Sequence, residues 1–318
     1  MTPRVSVIVP LYNKALFVRR ALDSITRQTM DDYEVIVVND GSTDEGAETV
    51  RAFGDERVRL ITQVNLGPGA ARNRGLLEAQ GDLIAFLDAD DEWVPNYLAE
   101  GVHLLEGAGE EVASVTCGYF TEPGNKSHAT MWQRRGLTKG THRVSASSSA
   151  ALVVQMLAYM SPCTTITRAA TLRHWGGFYS RDKCRYAEDS YLWLKVLMNE
   201  PVVFTFQPLA RLHLEASSLS KNLTGARPVE PFLTHPEEME ASCPPHLRDL
   251  LRRILAIRAL KTACVLGYWG HWQEASELVS RFNVARSWSL PHYAPSLICR
   301  TPLGGMIGKA WRKIRSPA

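Results

Sequence analysis

Acidic residues in short, separated groups are the feature of this sequence most capable of chemistry. Asp88-Ala89-Asp90-Asp91 follows an apolar run, Asp40 ends another, and Glu188-Asp189 opens a third segment. Two hard oxygen donors brought together at a turn bind Mg²⁺ or Mn²⁺, and diphosphate oxygens can complete the shell. The same aspartates would serve equally as caps for a helix over residues 93–106, where carboxylates are favoured. Glu188-Asp189 has a comparable double reading: general base chemistry, or capping of a helix that begins near Ser190. His213 is a lone histidine, compatible with a metal or diphosphate contact and with a structural role.

These groups need a frame that brings them together. Val5–Val9, Tyr33–Val38, Val58–Thr62 and Leu83–Leu87 are short, continuous apolar runs that predict strands, the first stopped by Pro10. Residues 16–25, 45–53 and 68–78 carry helical spacing between them. Continuous apolar strands alternating with helices predict an α/β fold with a mainly parallel sheet covered on both faces. In such sheets ligands bind beyond the carboxyl ends of the strands. Tyr12-Asn13, Asp40 and Asp88 with Asp90 all fall at those ends, so one topological rule gathers them along one crevice.

Further on, residues 112–120, 163–167 and 202–206 read as strands, and 121–149 reads as a polar loop. A short helix should end at Gly176-Gly177, and residues 190–198 should form another. Prolines cluster between Pro228 and Pro245, after which residues 246–267 and 273–282 predict two amphipathic helices. This suggests a first domain over 1–227, with halves of about 1–110 and 111–227, and a linker with a helical appendage over 228–318.

Composition narrows the class. The chain has 318 residues, 45% hydrophobic and 22% charged, an ordinary globular profile. A net charge of +3 is too small to point to nucleic acid. No apolar run reaches bilayer length, and the first ten residues do not read as a secretory signal. The six cysteines are widely spaced without a Cys-x-x-Cys unit, which suits reduced thiols and a cytoplasmic setting. On that reading the sequons at Asn125 and Asn222 are chance matches. From Arg300 on, Lys309, Arg312, Lys313 and Arg315 accompany Met306, Ile307, Trp311 and Ile314 with no acid, a pattern that suits peripheral contact with an anionic membrane through 300–318 and equally a basic helix packed on its own domain or a frayed terminus.

Four ordered motifs resemble the family 2 glycosyltransferases, which have the GT-A fold. They are Val5-Ser6-Val7-Ile8-Val9-Pro10-Leu11-Tyr12-Asn13, Glu34-Val35-Ile36-Val37-Val38-Asn39-Asp40-Gly41-Ser42-Thr43-Asp44, the stretch from Asn65 to Gly75, and the stretch from Gly81 to Asp91. The resemblance implies an inverting enzyme that moves a sugar from a nucleoside-diphosphate sugar, UDP-linked by preference, to a hydroxyl of a glycan or lipid-linked acceptor. It implies Mn²⁺ or Mg²⁺ held by Asp90 and Asp88, with His213 nearby. Pro10, Tyr12 and Asn13 would pack on the nucleobase and Asp40 would accept a hydrogen bond from uracil. Gly67, Asp88 and Ala89 would complete the donor site, and Arg72 would meet the diphosphate with its planar fork. The segment from Tyr186 to Leu194 resembles the family's Glu-Asp element, which makes Asp189 the general base and Glu188 its neighbour at the acceptor. Tyr179 stands where many members carry Asp after Gly-Gly-Phe, so that acceptor contact does not carry over. The alternatives are a nucleotide-sugar binding protein without turnover and a nucleotidyltransferase. The latter usually carries a glycine-rich loop where this chain has Leu11-Tyr12-Asn13-Lys14.

Overall fold

The computed structural model describes residues 2–216, 225–282 and 291–315, with side chains described as far as Trp311. The Asn222 sequon, Ser217 and Ser218 lie outside the described residues, as do the side chains of Arg312, Lys313, Ile314 and Arg315. The chain forms two compact units: Met1–Val144 with Gln155–Lys221, and Ser145–Val154 with Asn222–Ala318.

The first unit is built on strands β1 (Val5–Leu11), β2 (Tyr33–Asp40), β3 (Val58–Gln63) and β4 (Leu83–Phe86). Three helices connect them: α1 (Ala15–Thr26), α2 (Gly46–Arg51) and α3 (Pro68–Glu78). These strands are parallel in the order β3-β2-β1-β4. Val5, Val7, Ile8 and Val9 are fully buried, as expected for a central strand covered on both faces. Helix α1 buries Val18, Ala21, Leu22 and Ile25 on one side of its turn pattern.

Beyond β4 the sheet becomes mixed. Strand β5 (Glu92–Trp93) and helix α4 (Tyr97–Gly107) come first in the chain, followed by β6 (Ser114–Glu122). Then follow β7 (Lys126–Ser127), α5 (Ala129–Arg134), β8 (Gly140–His142) and α6 (Ala150–Tyr159). Next come β9 (Thr165–Arg168), α7 (Ala169–His174), α8 (Glu188–Asn199) and β10 (Val202–His213). Strand β9 is antiparallel to both β4 and β6, and β6 is parallel to β10.

Three expectations change. Pro10 does not stop β1; it pairs with Val38 and the strand runs on to Leu11. Pairing with β4 ends at Ile8↔Phe86, so Pro10 lies where the missing N–H costs no ladder bond to β4. Trp93 does not open a helix but pairs with Ala210, and Pro95 delays the helix to Tyr97. The segment 121–149 is not an open loop: it holds β7, α5 and β8, with Trp132 buried against Tyr159 at 5.2 Å.

The second unit contains α9 (Pro231–Thr234), α10 (Pro236–Ser242), α11 (Arg248–Tyr268), α12 (Trp272–Arg281), α13 (Tyr293–Cys299) and α14 (Pro302–Arg315). Helix α11 buries Leu250, Leu251, Ile254, Leu255, Ile257, Leu260, Ala263 and Leu266 around most of its circumference, as a central helix must. Among the described helices, none is long and apolar enough to cross a membrane.

Candidate active site

Register places the site. Because Leu11 pairs with Asn39, Tyr12 and Asp40 emerge side by side at the carboxyl ends of β1 and β2. Because Ile8 pairs with Phe86, Asp88 comes level with Pro10 on the other flank. A cleft of about 440 Å³ opens there, lined by Pro10, Tyr12, Asn13, Asp40, Gly67, Arg72, Asp88, Ala89, Asp90 and Glu188. Asp189 and His213 are not in its wall. Lys14, Asn65 and Arg185 are, and the sequence reading gave them no role. For Lys14 a signal was present: it is the first cation after the β1 end.

Arg72 is the electrostatic centre. Its Nη2 donates to Asp88 at 2.7 Å and its Nη1 to Glu188 at 2.9 Å, while the guanidinium lies 5.2 Å from the Phe178 ring centre. The residue is only 5% exposed. Burial alone would push the guanidinium down, but Asp88 and Glu188 outweigh it and hold its pKa above the ordinary value. The two Nη atoms of Arg72 each hold a carboxylate, while the buried Nε has no hydrogen-bond partner.

Asp40 is buried and accepts the backbone N–H groups of Leu66 (2.8 Å) and Gly67 (2.9 Å), together with Gln63 Nε2 (2.8 Å). It therefore shapes the loop that opens α3. Gly67 has φ 93°, and a Cβ there would sit 3.1 Å from the Cys184 carbonyl oxygen. A side chain would thus be strained twice over, by conformation and by crowding. At Gly69 a Cβ would come within 2.3 Å of the Tyr179 carbonyl oxygen, so α3 and the 179–184 segment meet without an intervening side chain. Asn13 is also committed: its Oδ1 accepts the Thr43 N–H at 2.8 Å.

Asp88, Asp90 and Asp91 crowd negative charge at the end of β4. Burial first, then repulsion from Asp88, pushes the Asp90 carboxyl up, and Lys14 Nζ at 2.6 Å pulls it partly back. Asp91 is raised further by burial and by both neighbours, against the His213 N–H it accepts at 2.9 Å. The helix these residues might have capped starts only at Tyr97, after an Asn96 cap that makes no side-chain bond. Among the described residues, Asp88, Asp91 and Cys163 bring ligand atoms within 4.8 Å of one another. Burial holds the Cys163 thiol protonated, and it donates to Asp91 at 3.4 Å, so it is a poor ligand for a hard cation. The aspartate oxygens do suit Mn²⁺ or Mg²⁺, and the crowding that raises Asp90 and Asp91 is what a divalent cation relieves. The His213 ring meets Glu215 at 3.0 Å and Glu92 at 3.3 Å instead of facing this group.

Glu188 and Asp189 begin α8, where acidic side chains face the positive end of the helix dipole. Ala187 precedes them in the left-handed region, φ 58° and ψ 22°, which tilts the chain into the helix at a conformational cost. Asp189 Oδ1 accepts the Ser190 N–H at 2.7 Å. Burial, then the adjacent Glu188, pushes its carboxyl up to about 6 against the pull of Arg72.

Residues 6–160 match the sequence model described as glycosyl transferase family 2. The matched segment, residues 6–160, belongs to glycosyltransferase family 2. An uncharacterised glycosyltransferase of Rickettsia typhi is 29% identical over 214 residues, covering 67% of this chain and 65% of that protein. Across relatives from Bacillus subtilis, Rickettsia typhi and Rickettsia prowazekii, this chain spans 35% to 65% of the relative's own length. The crystal structure of S. aureus TarS 1–349 in complex with UDP has a TM-score of 0.64 at 17% identity, covering 99% of this chain and 93% of that one. Mannosyltransferase PcManGT from Pyrobaculum calidifontis, in complex with GDP-Man and Mn²⁺, has a TM-score of 0.54 at 20% identity, covering 99% and 88%. At these identities the likeness is one of fold: a mixed, mostly parallel sheet flanked by helices, with further helices after it.

Proposed function

We propose that this protein transfers a sugar from a nucleoside-diphosphate sugar, UDP-linked by preference, to an acceptor hydroxyl with inversion at the anomeric carbon. The observation that carries the reading is the convergence of Asp40, Arg72, Asp88, Asp90 and Glu188 on one cleft at the strand ends. The TarS complex with UDP and the PcManGT complex with GDP-Man and Mn²⁺ share this fold and support a nucleotide-sugar donor.

In this reading Pro10, Tyr12 and Asn13 form the wall for the nucleobase, and Asp40 accepts a hydrogen bond from uracil. Gly67 and Ala89 leave room for the donor, and Asp88 takes the ribose. Asp88 and Asp90 would hold Mn²⁺ or Mg²⁺, and the ion when bound would offset charge on the departing diphosphate; His213, whose two ring nitrogens meet Glu215 and Glu92, takes no part in holding it. Arg72 fixes Asp88 and Glu188 and adds positive potential, while Lys14 contributes a second cation beside Asp90. Asp189 takes the proton of the acceptor hydroxyl as its oxygen bonds to the anomeric carbon. The bond to the diphosphate breaks, and its electron pair leaves with that oxygen. A base whose carboxyl lies near 6 is ionised at neutral pH yet basic enough to draw that proton. Glu188 orients this base and borders the acceptor. The acceptor itself is read as a glycan or a lipid-linked glycan.

A thermal-shift panel of nucleotide sugars with Mn²⁺ tests the donor. UDP-sugars should raise the midpoint by several degrees, as ligand linkage requires. Silence across the UDP series, with a response to GDP or dTDP sugars, would overturn the base assignment. Calorimetry on Asp90→Ala tests the metal: donor affinity should lose its dependence on Mn²⁺, and an undiminished dependence would remove Asp90 from the site.

A further inference from the structure

Helix α14 turns the wrong side toward its own unit. A Cβ at Gly308 would lie 1.9 Å from the Tyr268 carbonyl oxygen, at Gly304 2.7 Å from Cys299 Cα, and at Gly305 2.8 Å from Gly270 Cα. Gly304 and Gly308 are buried. The glycine side of α14 is therefore seated by backbone-to-backbone approach on the end of α11 and on α13, and its rotation is fixed. No larger side chain fits there.

The consequence appears on the outer side. Leu303, Met306, Ile307 and Trp311, spaced to share one face of a helix, are 52%, 66%, 40% and 52% exposed. In an ordinary surface helix the large apolar side chains would face the domain. Here glycines take that place, and the apolar face is left on the surface beside an exposed Lys309. Apolar faces of this kind on a soluble unit mark contact sites.

Charge selects the occupant. From residue 300 to 318 the sequence holds Arg300, Lys309, Arg312, Lys313 and Arg315 and no aspartate or glutamate. A second copy of the same face would bring like charges together. An anionic bilayer surface complements both features at once: it attracts clustered Lys and Arg, and its headgroup region accepts Leu, Met, Ile and Trp side chains.

We infer that α14 is a docking helix for an anionic membrane surface, with Leu303, Met306, Ile307 and Trp311 entering the interfacial layer. The test is co-sedimentation of the full chain with vesicles of phosphatidylcholine containing roughly a third phosphatidylglycerol. Met306→Glu with Ile307→Glu exchanges two exposed apolar contacts for charges that the lipid repels. It should lower the partition coefficient at least about tenfold, because two apolar contacts buried in the lipid are lost and two charges of the lipid's own sign are gained. Wild-type chain should also bind pure phosphatidylcholine far more weakly, and should lose binding to anionic vesicles in high salt. Unchanged thermal midpoints would show that the variant still folds. Equal partitioning of variant and wild type would overturn the inference. So would equal binding to neutral vesicles, or a lipid-free dimer that the double substitution dissociates.

Discussion

Arg72 and Arg258 are both buried against a glutamate, at 2.9 Å and 2.7 Å, and both sit near an aromatic ring, Phe178 and Phe232. Their surroundings differ in charge balance. Arg258 faces Glu230, which is 1% exposed and also accepts the Thr262 hydroxyl at 2.7 Å, so one cation meets one anion. Arg72 meets Asp88 and Glu188 and also feels Asp189, and its carboxylates border a cleft. A balanced pair closes on itself and holds helices together. A cation outnumbered by carboxylates leaves an excess of negative charge that a bound metal ion or a proton can answer. The first arrangement serves stability and the second serves chemistry.

Four substitutions sharpen that contrast. The largest effect is expected from Asp189→Asn, which should cut the transfer rate by about 10²–10⁴ while leaving donor affinity nearly unchanged, measured by product release and calorimetry. Wild-type turnover in that variant would move the base elsewhere. Glu230→Ala should cost about 3–5 kcal/mol in denaturant unfolding, because it strands the Arg258 charge in an apolar setting. It should leave donor binding alone; a loss of binding without a loss of stability would reverse the assigned roles.

The pH dependence gives a subtler distinction. Asp189 is raised in the fold, so between about 4 and about 6 the native state holds more protons than the unfolded chain. Its contribution to stability therefore falls as pH rises through that window, whereas transfer should rise with pH and level off above about 6. Arg72→Gln removes the cation that favours ionised Asp189, so the acidic limb of the rate profile should move to higher pH. A limb that stays in place would dissociate Arg72 from the base. The smallest effect concerns Ala187. Glycine at this left-handed position should raise stability by up to about 1 kcal/mol, read as a few degrees in the midpoint, with little change in rate. A fall in midpoint would mean that the native backbone there is not strained.

Much of this was visible in the chain itself. The apolar runs of β1 to β4 and the helix over 68–78 follow from local pattern, since a strand covered on both faces needs continuous apolar residues and Pro68 is pre-set for a first helical turn. Asp40, Asp88 and Asp90 were legible as a cleft group because parallel strands end together. The region from Thr121 to Ser149 was not legible, because β7, α5 and β8 gain their stability from partners distant in the chain, such as β8 on β10. Lys14 was readable only as a residue type; its bond to Asp90 crosses from the end of β1 to the end of β4.

The sequence by itself determined the parallel half of the sheet, the family and the kinds of residues that gather at the strand ends, because these depend on local periodicity and short motifs. Only the tertiary structure decided that β9 enters antiparallel between β4 and β6, that Lys14 pairs with Asp90 while Arg72 holds Asp88 and Glu188, and that α14 seats its glycines inward. Those outcomes depend on which surfaces meet, and the energy of each contact belongs to two distant segments at once.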